Sequence, residues 1–325
     1  MPEHGGDRTD DRSAGRSKLP TVDLITLLAL AALWGASFLF MRVAAPAFGV
    51  VPLVAVRVGL ASMVLLPLLL WQGHGAWLRT HATPLAAVGV LNSALPFLGF
   101  AWAALSITAG LSSVFNATTP LWGALIGWLW LGQRPGAAGT TGLLMGLAGV
   151  VLLAGDTLGL RTGTSDGAAA GAIVACLGAT ACYGVAAHLA RQKLAGVPPL
   201  ATATGSQLAA AGVLAVPGLW LWPAQAPSMQ AWAAAIGLAV PCTALAYLLF
   251  FRLIARIGAS RAITVTFLIP LFGTGWGALW LDESVTVAMA VAGAVILLGT
   301  ALASGAVVRP WRSPSASPRD PAADR

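Results

Sequence analysis

One arginine, Arg57, lies well inside an apolar run, about seven residues from its start and so roughly 10 Å along a helix at ~1.5 Å per residue. A charge at that depth in hydrocarbon costs about 2.5–3.5 kcal/mol unless it pairs, faces water or snorkels. No acidic residue occupies the central part of any apolar run. The residue types therefore allow two readings: the guanidinium attracts the carboxylate of a solute or steers anions at a mouth, or its long stem carries it to the headgroups. The position of Arg57 in a 150-residue internal repeat is taken by Gln207 in the second copy, polar but neutral, so a charge-selective site would be asymmetric.

Two prolines form a second pattern. Pro120 and Pro270 fall within apolar runs, where each removes a backbone donor and leaves the carbonyl four residues earlier, at Asn116 and Thr266, without its helical partner. Thr119 adds a hydroxyl beside the first. Interrupted helices at matching places in two halves mark the solute site of many transporters, whereas a threonine-softened kink that only shapes packing is the alternative. Trp34 and Tyr183 sit near the middle of their runs rather than at an interface. With Ser37, Phe38, Asn92, Trp102 and Tyr247 they make the walls and few polar points of a small-molecule pocket, or they fill a core.

These types bind; they do not catalyse. The cysteines Cys176, Cys182 and Cys242 have no metal-ligand spacing, and neither a zinc-protease motif nor a phosphate-binding loop occurs. Gly163-Thr164-Ser165-Asp166-Gly167 matches a hydrolase string but follows no strand, so the nucleophile-elbow context is missing. The reading is a non-enzyme without cofactor or metal. Its alternative is a non-transporting membrane protein, an intramembrane enzyme or a sensor.

The elements that must position these residues are membrane helices. Apolar residues make up 58% of the chain and charged ones 9%, too few to cover a water-facing surface. Ten apolar runs, each near the ~20 residues that cross a bilayer, lie at 23–44, 50–71, 84–106, 109–131, 137–155, 168–190, 198–222, 230–252, 258–281 and 286–307. They lack the alternation of barrel strands. Residues 1–22 and 308–325 read as disordered tails, and 156–167 as the loop joining two halves, 23–155 and 168–307.

The halves echo each other. Shifted by 150, Pro120-Leu121 falls on Pro270-Leu271, Gly123 and Gly127 on Gly273 and Gly277, Trp130-Leu131 on Trp280-Leu281 and Gly149 on Gly299. Nearer the start the shift is 149, pairing Gly35 with Gly184 and Arg42 with Arg191. With the N-terminus inside, 15 of the 18 Lys and Arg fall on the cytoplasmic side, leaving Arg42, Arg57 and Arg161. Both termini are then cytoplasmic. Five spans per half, an odd number, turn the second half upside down. The net charge of +7 is thus a topology signal and not a nucleic-acid footprint.

At this point the chain resembles the EamA-type transporters of the drug/metabolite transporter superfamily, over roughly residues 23–305. The resemblance rests on Leu33-Trp34-Gly35-Ala36-Ser37-Phe38 with Arg42 beyond, on Arg57, on Ala109-Gly110-Leu111, and on Thr119-Pro120-Leu121 ending at Leu131-Gly132-Gln133-Arg134. Its second copy is Pro270-Leu271-Phe272 ending at Leu281-Asp282-Glu283, with Gly149 and Gly299 closing the halves. The family commonly has Gly-Glu after both copies; here they read Gly132-Gln133 and Asp282-Glu283.

The resemblance implies an exporter or exchanger of small organic metabolites, such as amino acids or drug-like compounds, in the bacterial cytoplasmic membrane, as a monomer or homodimer. The expectation is an all-α membrane protein of ten transmembrane helices in two inverted five-helix repeats. The expected solute site comprises Trp34, Ser37, Phe38, Arg57, Asn92, Trp102, Asn116, Thr119, Pro120, Tyr183, Gln207, Tyr247, Thr266 and Pro270.

Overall fold

The computed structural model describes residues 20–160 and 166–304. Residues 1–19 and 308–325 of the tails expected to be disordered, and residues 163–165 of the hydrolase-like string, lie outside the described residues, whereas Thr21 and Val22, expected in the first tail, begin a helix. Among those described, every regular element is helical: α1 (Thr21–Phe48), α2 (Val50–Trp71), α3 (Ala82–Ala103), α4 (Ala109–Asn116), α5 (Thr119–Leu131), α6 (Ala137–Leu160), α7 (Asp166–Lys193), α8 (Pro199–Trp220), α9 (Met229–Ile257), α10 (Val265–Leu281) and α11 (Val287–Ala303). Seven of them, α1, α2, α3, α6, α7, α8 and α9, are long and apolar enough to cross a membrane. Leucines such as Leu144, Leu147 and Leu279 point outward, which lipid tolerates and water does not. Trp130 and Trp280, repeat equivalents, stand exposed at the ends of α5 and α10, where an interfacial belt requires them.

Two helices carry a wide turn at the same place in the repeat. A π segment, Val90–Ala94, interrupts α3, and another, Val240–Leu245, interrupts α9, 150 residues on. Such an inserted turn rotates the side chains beyond it and commonly lies at a functional site. Here the segments present Asn92 and Ser93 in one half, Cys242 and Thr243 in the other.

The proline-bearing helices behave differently from each other. The expected continuous 109–131 span breaks at Ala117–Thr118, and Pro120 opens α5, where its missing N–H would have had no helical partner anyway. In the second half the break comes earlier, between Ala259–Ala262 and Val265–Leu281, and Pro270 remains inside α10. The helices ending the two copies do match. Gly132 and Asp282 both adopt the left-handed conformation, with φ 66° and 53°, and the next N–H, of Gln133 and Glu283, turns back to Gly127 and Gly277. Asp can adopt this conformation, though glycine does so more readily.

Helix direction follows from two long-range contacts. The end of α3 lies beside the end of α1, where Arg42 Nη1 donates to the Ala104 carbonyl at 2.7 Å. The end of α9 lies beside the start of α1, where Arg256 pairs with Asp23. Equivalent helices α3 and α9 therefore point opposite ways. The last helices of the halves, α6 and α11, meet backbone to backbone: a Cβ on Gly299 would run into Gly142 and Gly146. Small residues at such a crossing let bilayer helices gain close dispersion contact, so Gly142-xxx-Gly146 works within the chain.

Candidate functional site

The two π segments and the two second helices build one centre. Arg57, on α2, is only 5% exposed. Its Nε donates to Thr243 Oγ1 at 3.0 Å, its Nη1 lies 3.9 Å from Met41 Sδ, and its Cζ sits 3.5 Å from the centroid of the Phe97 ring. Thr243 gives its own proton to the Leu238 carbonyl at 2.8 Å, across the wide turn, which fixes a lone pair toward Arg57. The side chain thus turns inward to protein instead of snorkelling to headgroups. Tyr183, Cys242 and Tyr247 lie near enough to interact with its charge.

The same contact recurs 150 residues along with the halves exchanged. Gln207, on α8 and fully buried, donates from Nε2 to Ser93 Oγ at 2.8 Å. Gln207 is the repeat equivalent of Arg57, Ser93 of Thr243 and Tyr247 of Phe97. Tyr247 also receives a hydrogen bond from Asn92 Nδ2 at 3.2 Å and lies within hydrogen-bonding reach of Ser93. Each half's second helix is therefore hydrogen-bonded into the other half's wide turn.

Aromatic rings close the sides. Phe38 meets Phe100 edge-on at 5.4 Å, and Tyr183 stacks on Phe100 at 6.3 Å. Trp34 packs against Phe250 at 5.2 Å, and Ser37 reaches the Leu33 carbonyl and Cys242. Of the expected residues, Arg57, Asn92, Tyr183, Gln207 and Tyr247 gather here, with Ser37, Phe38 and Trp34 on adjoining walls.

The remaining expected residues lie elsewhere. Trp102 is 48% exposed and covers Gly171 of α7. The Asn116 carbonyl does not stand free: Thr119 Oγ1 donates to it at 2.8 Å. Thr266 donates to Ile263 in the same way, and Pro270 is buried within α10. Among the described residues no hydrogen bond joins Asn116, Thr119, Pro120, Thr266 or Pro270 to Arg57. A separate cavity of about 470 Å³ opens between α5, α6 and α7, but Leu121, Leu144, Leu147 and their neighbours give it apolar walls without a charged group. Thr243, Phe97, Ser93 and Met41 were missed by sequence reasoning. The repeat shift, applied to Arg57 and its neighbours, contained the signal for their pairing but not for their contact.

A polar cluster links the halves at the Arg42 end. Glu283, aimed by the left-handed turn at Asp282, accepts from Ala109 N at 3.0 and 2.9 Å and from Gly110 N at 3.4 Å, and lies 3.6 Å from Arg42 Nε. A carboxylate at a helix N-terminus meets unpaired N–H groups and the positive end of the dipole. Nearby, Gly273 packs against fully buried Ser113. The equivalents at the opposite end share the glycine crossing, since a Cβ on Gly184 would lie 3.1 Å from Gly123 N as one on Gly35 would lie 2.8 Å from Gly273 N, but they lack the serine contact. Gly123 would meet nothing within 4 Å if given a Cβ, and Ile263, the equivalent of Ser113, is 51% exposed. Gln133 replaces the glutamate. Arg191 turns to His188 Nδ1 at 2.9 Å, leaving His188 Nε2 to donate to the Gly123 carbonyl at 2.8 Å.

The EamA-like transporter family matches this chain twice, over residues 22–155 and 170–305. An uncharacterized transporter of Bacillus subtilis (strain 168), YvbV, is 23% identical over 288 residues, covering 86% of this chain and 91% of that protein. A solved crystal structure of 20% identity has the same fold at a TM-score of 0.62, covering 89% of this chain and 99% of that one.

Proposed function

Because the chain belongs to the EamA-like transporter family, we propose that it is a secondary transporter that exports or exchanges small organic metabolites across the bacterial cytoplasmic membrane by alternating access. In this reading the seven long helices, α10, α11 and the α4–α5 pair give ten crossings, five to each inverted half. Both termini face the cytoplasm in this reading, which the distribution of Lys and Arg supports.

The reciprocal contact carries the reading: Arg57 reaches Thr243 while Gln207 reaches Ser93. Polar groups from both halves meet where the halves cross, which is where a rocking transporter of inverted repeats holds its solute. The unequal ends support alternation. Glu283, Arg42 and the packed Ser113 tie the outer end together, while at the inner end Gln133 replaces the glutamate and Ile263, the equivalent of Ser113, is half-exposed. Rocking the halves would exchange those two arrangements around a fixed centre.

The test is solute counterflow in proteoliposomes with the wild type, Arg57→Ala and Tyr183→Ala at matched incorporation. The reading expects saturable counterflow of at least one small organic solute and its loss in Arg57→Ala. Equal counterflow in all three would remove the solute from this centre.

A further inference from the structure

We infer that the Arg57 centre takes a small organic monoanion, a monocarboxylate with an apolar or aromatic body. The inference rests on the transport reading for the solute's passage, and on the site's own charge and shape for its class.

Charge balance decides the sign. Arg57 is 95% removed from solvent by its 5% exposure, and the sequence has no acidic residue between Asp23 and Asp156 or between Asp166 and Asp282. No carboxylate of the helices that surround Arg57 is available to neutralise it. Its repeat equivalent Gln207 adds no charge, so the centre holds one uncompensated positive charge in a medium that strongly favours neutral pairs. One monoanion cancels it; a cation would be repelled, and a dianion would leave a negative charge behind.

Donor geometry fits a carboxylate. A guanidinium carries five N–H groups in a fixed fork. Nε is used by Thr243 and Nη1 has only a long contact to the Met41 sulfur, so N–H groups remain without an oxygen acceptor among the described residues. Those groups match the two oxygens of a carboxylate in a charge-assisted, bidentate contact. Phe97 occupies one face of the fork, which directs the ligand to the edge.

The surroundings define the body and exclude a zwitterion. Phe100, Tyr183, Phe38 and Tyr247 supply rings and two hydroxyls. A zwitterion carries no net charge and would leave the positive charge of Arg57 uncompensated. The centre therefore selects a carboxylic acid anion over the corresponding amino acid.

Thermal unfolding of the full-length chain in detergent, with benzoate, benzamide, benzylamine and phenylalanine as probes, tests this assignment. Ligand that binds only the folded state raises the melting temperature with concentration. Benzoate should do so at concentrations about tenfold or more below those at which any of the other three acts, a ratio typical of one charge-assisted contact. Arg57→Gln should erase the benzoate advantage. If benzamide, benzylamine or phenylalanine matches benzoate, if benzoate gives no shift, or if a folded Arg57→Gln keeps the advantage, the assignment is wrong. Should Arg57→Gln not fold, the wild-type series decides alone.

Counterflow of labelled probes in proteoliposomes separates this assignment from the transport reading. Benzoate that binds but does not exchange would overturn transport and leave the anion site standing. Exchange of benzylamine or phenylalanine without benzoate would overturn the anion site and leave transport standing.

Discussion

Arg57 Nε and Thr243 Oγ1 lie 3.0 Å apart across 186 residues of chain, and the halves repeat this contact, exchanged, between Gln207 and Ser93 at 2.8 Å. One copy is charged and the other neutral. A hydrogen bond to a charged group contributes about 1.5–3 kcal/mol in soluble proteins, and membrane-buried pairs average ~0.6 kcal/mol. Thr243→Val should therefore lower unfolding free energy by about 1 kcal/mol and weaken solute binding, while Ser93→Ala should cost less. Denaturation midpoints and counterflow half-saturation for both variants check the order. A larger loss in Ser93→Ala would show that the charged copy is not the dominant one.

Glu283 and Gln133 occupy equivalent turns at opposite ends, and Glu283 holds a helix N-terminus and an arginine. Arg42 is partly exposed, which screens the ion pair, so the capping of Ala109 supplies most of the difference. Glu283→Gln should shift the balance toward outer opening by about 1 kcal/mol, roughly fivefold in population. A cysteine placed at Ser113, in a background lacking Cys176, Cys182 and Cys242, should then label faster from outside. Unchanged labelling would show that Glu283 does not hold this end shut.

Gly299 and Gly178 should respond in opposite ways. A Cβ at Gly299 meets the backbone of α6, whereas one at Gly178 meets nothing within 4 Å. Gly299→Val should cost about 3 kcal/mol or more, because the backbone must separate, or prevent folding outright. Gly178→Ala should be neutral or add about 0.5–1 kcal/mol through helix propensity. Thermal unfolding in one detergent compares them directly. A well-folded Gly299→Val would mean that α6 and α11 are not tightly apposed.

Transport energetics should not depend on a protein carboxylate relay. Asp282 and Glu283 lie at a helix end, Asp23, Asp156 and Asp166 lie in the terminal turns of α1, α6 and α7, and no Asp or Glu occurs between Asp23 and Asp156 or between Asp166 and Asp282. Dissipating only the pH gradient should leave counterflow in proteoliposomes unchanged. Its collapse would reveal proton coupling through the solute or through groups other than carboxylates.

Much of this protein was legible in one dimension because the bilayer simplifies the code. Helical spans follow from apolar length alone, since unpaired backbone cannot lie in lipid. The 150-residue echo identified equivalent residues, and Arg57, Asn92, Tyr183, Gln207 and Tyr247 stood out as polar or amphipathic groups in apolar runs. The proline reading shows where such reasoning stops. Pro120 looks like a mid-helix break, yet the chain breaks just before it, and Thr119 covers the carbonyl that the pattern left free. Trp102 is central to nothing; its helix turns it outward over Gly171.

The sequence by itself determined the helices, their duplication and the charge of Arg57, because these depend on local composition and on the solvent. Tertiary structure alone decided that Arg57 meets Thr243 and that Gln207 meets Ser93. Those contacts depend on the rotation imposed by two π segments and on how the two halves cross. No hydropathy pattern encodes either. It also decided that Glu283 meets the N-terminus of α4 and Arg42, since a side chain's partner is fixed by the packing of the opposite half.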